Sequence, residues 1–337
     1  MAPEVNTVLG PVPASALGRT MMHEHLFVDL VRAGEPGPRW ELPITLENLP
    51  DVRRSPNSYR ANLLMDSAEE ALQELADFKA VGGGCIVDAT SRGIGRDPAR
   101  LRQVSREAGV HVVMGSGYYV YPHHPADIAE RAEEAIAEEI ISDLTVGVDG
   151  VVAGLIGEIG LSWPTHPDES KVLRAAVRAQ VATGAPISIH PARSPQGPLD
   201  AAQTVVDAGG DPARTIICHL DGRLQDFAAF DRVAATGCYL EIDLFGCEGS
   251  HFPGYPDFDM PNDGTRVRQL LYLCEKGLEH RLLVSSDMAM KFHRSRYGGW
   301  GYAHLIGNVV PLMLRRGIPA TAVEDILVTN PARVLGR

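Results

Sequence analysis

Eight times along this 337-residue chain a short apolar run gives way to a stretch of different period, and that repetition constrains the fold more than any other feature. The runs are residues 20–29, "CIVDAT" (85–90), "HVVMGSG" (111–117), "GVVAGLIGEIG" (150–160), "APISIH" (185–190), "TIICH" (215–219), "CYLEID" (238–243) and "RLLVSSD" (281–287). Between them lie helical patterns. One carries Leu72, Leu75, Ala76 and Phe78 and ends at the glycines 82–84. Others cover 97–108, 125–143, 168–183, 199–208, 222–235 and 263–277, with two more near 302–316 and 321–335. Strand-then-helix order implies a parallel sheet. Near-continuous apolar strands imply that both faces are covered. Eight such units in this length fit an α/β fold of the (β/α)8 TIM barrel type. A doubly wound sheet is the rival, but the glycine-rich phosphate turn expected after its first strand is absent. No linker divides the chain, so residues 1–337 read as one barrel domain, with 1–17 as a lead-in. The irregular segments 31–58 and 244–262 read as insertions over the C-terminal face.

The formal charge of −12 argues against nucleic acid or an anionic membrane as partner, since both select basic surfaces. Five cysteines without a CxxC pair point to a reducing cytoplasm and no disulfide framework. The N-terminus lacks a basic start followed by an apolar run, as a secretion signal would have. No apolar stretch reaches membrane-spanning length. The expected partner is a small molecule.

Chemistry collects where the strands stop. The first run holds His23 and His25, which a strand directs to one side. Glu158 closes the fourth, His190 the fifth, His219 the sixth and Asp287 the eighth. In a barrel these ends share one mouth. Each residue alone has an ordinary explanation, such as a helix cap, an ion pair or a bond to a backbone carbonyl. Four imidazoles and two carboxylates together form a donor set for two divalent ions, Zn²⁺ being the best match, with Mn²⁺, Co²⁺ or Fe²⁺ as alternatives. Glu158 is the expected bridge. His111 starts a strand, at the opposite face, and is left out. His123, His124, His166, His251, His280 and His304 read as solvated or structural.

"MMHEHLFVD", "GEIGLS", "TGAPISIHPAR", "IICHLDGR", "SSDMAMK" and "TNPARVLG" resemble, in order and spacing, the phosphotriesterase family of the amidohydrolase superfamily. The resemblance implies a binuclear centre. His23, His25 and Asp287 match ligands of the more buried ion, His190 and His219 those of the more exposed one, and position 158 spans both. Well-known members bridge their ions with a carbamylated lysine. With Glu158 at that position instead, this chain resembles the carboxylate-bridged branch. The resemblance also implies a homodimer.

The expected reaction is hydrolysis by a metal-bridging hydroxide, with Asp287 as proton carrier. A lactone or other carboxylic ester is the leading substrate. An amide of an N-acyl compound and a phosphoester are the alternatives within the class. Outside it stand a non-catalytic barrel that only binds and a nicotinamide-dependent oxidoreductase, for which no phosphate loop is found. Substrate contacts are expected from Tyr119, Trp163, Arg193, Arg223, Lys291 and His293. The cations Arg193, Arg223 and Lys291 suggest an anionic substrate.

Overall fold

A computed structural model describes residues 2–251 and 257–337. Eight parallel strands run in chain order around one sheet: β1 (Arg19–Glu24), β2 (Gly83–Asp88), β3 (His111–Ser116), β4 (Leu155–Gly160), β5 (Ile187–His190), β6 (Thr215–Ile217), β7 (Tyr239–Ile242) and β8 (Leu282–Val284). Helices follow seven of them: α1 (Ala68–Ala80), α2 (Pro98–Ala108), α3 (Glu133–Thr145), α4 (Pro167–Thr183), α5 (Gly197–Asp207), α6 (Phe227–Ala234) and α7 (Asp263–Glu275). Helical turns at 305–315 and 320–335 follow β8. The arrangement is the expected (β/α)8 barrel. Among the described residues no helix is long and apolar enough to cross a membrane.

The apolar runs explain themselves once the two faces are separated. Ile86, Val112, Met114, Ile156, Ile217, Leu240 and Leu282 pack outward under the helices. Cys85, Val87, Val113, Leu155, Ile216, Tyr239 and Leu283 fill the interior with Leu17 and Val334. Both sets are essentially buried, as a sheet covered on two faces requires.

The seam between the first and last strands is closed by side chains together with backbone bonding. His23 N–H donates to Ser285 Oγ (3.0 Å), and Asp287 N–H donates to the His23 carbonyl (3.2 Å). The fully buried Glu24 carboxylate accepts from Ser285 Oγ (2.7 Å), Ser286 N–H (2.7 Å) and Met288 N–H (2.9 Å). Below the barrel an N-terminal hairpin, Glu4–Thr7 with Gly10–Pro13, pairs its backbone with Arg337.

Several boundaries differ from expectation. The first strand stops at Glu24, so His25 lies just beyond it. The helix expected from 125 starts at Glu133, because Pro125 and the residues after it turn instead. The segment 31–58 contains a short helix, Leu49–Arg54, whose Leu49 and Val52 pack with Phe292 beyond β8. Of the expected insertion 244–262, residues 252–256 lie outside the described part.

Candidate metal centre

Glu158 reaches the mouth because the backbone before it is glycine. Gly157 has φ +130°, and a Cβ there would sit 2.4 Å from the Ser188 carbonyl oxygen. Only glycine accepts both conditions. The strand register shifts between Ile156 and Ile159, and Glu158 turns inward. Two other site residues stand on left-handed backbone that non-glycine residues rarely adopt, His219 (φ 55°) and Asp287 (φ 44°). Such conformations collect at functional sites and cost on the order of 1–3 kcal/mol each.

Four imidazoles surround the Glu158 carboxylate. His190 Nδ1 lies 3.1 Å from it, His23 Nε2 and His25 Nε2 each 3.5 Å, and His219 Nε2 3.6 Å. His219 Nε2 is 2.9 Å from His190 Nδ1. Asp287 Oδ1 is 3.2 Å from His25 Nε2 and 3.8 Å from His23 Nε2. All four histidines and Glu158 are buried, while the Asp287 side chain keeps 20% exposure. Burial alone would raise the Glu158 carboxyl. Its imidazole neighbours, His23 foremost, hold it well below the usual range instead. Asp287 behaves alike: burial raises it, and the bond to His25 with the other imidazoles more than reverses this.

The donor atoms suit divalent cations. His23, His25 and Asp287, and separately His23, Glu158 and His219, each bring ligand atoms within 4.8 Å of one another. The hydrogen-bond network also sets ring tautomers. The Thr90 hydroxyl donates its proton to the Phe27 carbonyl (3.0 Å), so it accepts from His25 Nδ1–H (2.9 Å). That leaves the His25 Nε2 lone pair facing Glu158 and Asp287. His219 Nδ1–H donates to Asp243 (2.9 Å), which again aims a lone pair inward. Both ring nitrogens of His23 are buried without a hydrogen-bond partner among the described residues. A buried polar atom left so is rare unless something else occupies its direction. These residues fit a cation.

Asp243 was not anticipated. It accepts from His219 N–H as well as the ring, so it fixes both backbone and imidazole. Asp221 in turn accepts from Asp243 N–H and from Arg266. Asp88 likewise ties the ends of β1 and β2, accepting from Leu26 N–H (2.7 Å) and Thr90 N–H (3.1 Å). Beneath the mouth, buried Cys218 donates to Glu241 (3.1 Å).

The expected substrate contacts divide. Tyr119 places its ring edge-on to His190 at 5.0 Å, and burial foremost holds its phenol above its ordinary range. Arg193 is half-buried, and its charge acts on both Tyr119 and Arg223. Arg223 is 1% exposed, donating to the Pro191 and Gly222 carbonyls. It supports the mouth from behind rather than opening into it. His293 is buried and stacked on Trp300 at 4.6 Å. Burial pushes its imidazole down to about 4, with Asp287 and His25 the next influences. Lys291 sits 5.9 Å from the Tyr297 ring. Trp163, 62% exposed, lines a hollow between α4 and α5 that includes none of the six donors.

The model of the phosphotriesterase family matches residues 3–335. The N-acetyltaurine hydrolase of Homo sapiens is 40% identical over 340 residues, covering 98% of this chain and 97% of the relative. A resiniferatoxin-binding protein from Rhodobacter sphaeroides superposes with TM-score 0.94 at 38% identity, covering 98% of this chain and 94% of that one. A mutant phosphotriesterase-like lactonase from Deinococcus radiodurans superposes with TM-score 0.78 at 28% identity, covering 98% of this chain and all of that one (100%).

Proposed function

Because the chain belongs to the phosphotriesterase family, we propose that it is a metal-dependent amidase that cleaves an N-acyl compound whose amine half is anionic, of the N-acetyltaurine kind. The observation that carries this reading is 40% identity, end to end, with N-acetyltaurine hydrolase. The similarity to the lactonase is lower, at 28%, so the ester that the residues first suggested becomes the second reading.

Two divalent cations, zinc by donor type, held by His23, His25, Glu158, His190, His219 and Asp287 would polarise the scissile carbonyl and acidify the water that attacks it. The chain's own groups have separable tasks. The Asp287 carboxylate stays ionised and keeps one side open to the mouth. It can take the proton that the attacking water loses and pass it to the departing nitrogen. An amide depends on that second transfer, because an amine leaves poorly as an anion. The products are a carboxylate and an amine. Tyr119 remains protonated and can donate to the carbonyl oxygen from beside His190. Arg193, three residues beyond His190, is the cation suited to a sulfonate or carboxylate.

The test is a panel run on one zinc-loaded preparation: N-acetyltaurine, N-acetyl amino acids, γ-lactones and an aryl phosphotriester. The anionic N-acyl substrates should have the highest kcat/KM. A lactone ahead of them would restore the ester reading.

A further inference from the structure

The imidazoles of the mouth do not have equivalent backing. His25 donates its outer proton to the Thr90 hydroxyl, and His219 donates its own to the Asp243 carboxylate. His190 backs onto a cation: Arg223 Nη2–H points at His190 Nε2 from 3.2 Å. The guanidinium is held there by Nε–H to the Pro191 carbonyl (3.2 Å) and Nη1–H to the Gly222 carbonyl (3.0 Å), and it is almost wholly enclosed.

This contact conflicts with ligation. For His190 Nδ1 to offer its lone pair toward Glu158 and His219, the ring proton must sit on Nε2. There it meets a second donor that cannot give up its own proton. With the proton on Nδ1 instead, Nε2 accepts from Arg223, and the ring has no lone pair for a metal. Either way the guanidinium works against the ligand form. A carboxylate behind a ligating histidine strengthens it as a donor, and its loss typically weakens metal binding about 10–100-fold. A fixed positive charge in the same place acts with the opposite sign.

We propose that Arg223 is a positioning residue that makes His190 the weakest donor of the set, so that one cation of the pair is held far more loosely than the other. This rests on the cation-binding reading above. The consequence is an uneven centre, with one firmly seated position and one that loads and unloads readily.

The test is zinc titration of the metal-stripped protein in competition with a chromophoric chelator, with the melting curve of each stripped variant measured alongside. The wild type should bind in two separated steps. Arg223→Gln removes the charge and supplies a carbonyl oxygen that can accept from Nε2–H. Its weaker step should tighten about tenfold or more, the lower end of the effect of such outer partners, while the tighter step stays put. Arg223→Lys, which keeps the charge, should retain the wild-type separation. Arg223→Met provides the same reading should the glutamine variant misfold. A merely structural arginine predicts looser binding, or none, in every variant. A weaker step that is unchanged or loosened in Arg223→Gln overturns the role of Arg223. A wild type that takes up no zinc overturns the cation centre itself, and this proposal with it.

Discussion

The two ends of the same eight strands are built from different chemistry. At the N-terminal end, Leu17, Val113, Leu155, Ile216 and Leu283 meet in an apolar plug, closed from below by the N-terminal hairpin and Val334. These side chains are apolar and buried against one another. At the C-terminal end the strands deliver imidazoles and carboxylates into one buried space, two residues take left-handed backbone, and neither ring nitrogen of His23 has a hydrogen-bond partner among the described residues. The contrast separates stability from chemistry within one barrel. One end lowers the free energy of the fold, and the other gives some of it up to hold reactive groups close together.

Four experiments break or sharpen that contrast. Stripping divalent cations with a chelator should abolish hydrolysis and lower the melting temperature. A ligand present at 100–1,000 times its Kd stabilises by about 2.7–4.1 kcal/mol, which is what the apo protein would lose. Activity that survives complete stripping, verified by elemental analysis, contradicts the cation reading of the mouth. Asp287→Asn should lower kcat by about 10²–10⁴, the usual contribution of a positioned proton carrier, with little change in the melt. Steady-state kinetics on the fully metallated variant decide this. At the other end, Leu283→Ala should cost about 2–5 kcal/mol in denaturant unfolding while kcat/KM per folded molecule stays constant. A large fall in kcat/KM there would mean that the plug is not independent of the mouth. The smallest effect is expected from Arg193→Gln: about a tenfold rise in KM for an anionic N-acyl substrate, equivalent to ~1.4 kcal/mol, and none for an uncharged amide.

What the sequence disclosed, and what it withheld, follows the same division. Local pattern reveals elements, so the strand–helix alternation is legible in the sequence, as is the gathering of His23, His25, Glu158, His190, His219 and Asp287 toward one mouth. The partners behind those donors are not, although two carry a signal. Asp243 closes "CYLEID" and Asp88 stands fourth in "CIVDAT", where its strand ends, but an acid at such a place does not announce which imidazole or amide it will meet. Thr90, Arg223 and Glu24 gain meaning only through residues distant in sequence, which the fold brings together. The helix starts at Glu133 rather than at 125: charged residues from Asp127 onward mimic an exposed helical face, whereas Pro125 and the turn after it settle the matter locally. Trp163 looked like a mouth residue because it follows β4 closely. The turn after that strand carries it to the outside.

Glu24 has a bearing on how this molecule is made. Its carboxylate binds Ser285, which lies 261 residues further along, and Ser286 and Met288 beside it. A chain still emerging from the ribosome can form most of its strand–helix units, since each needs only its neighbours. It cannot complete the ring until the eighth strand and Asp287 have emerged. Closure therefore waits for a segment 261 residues beyond Glu24, and so long a separation between joined segments slows the step. Until then no nascent molecule presents all the donors together, so the mouth is assembled only after Asp287 has been made.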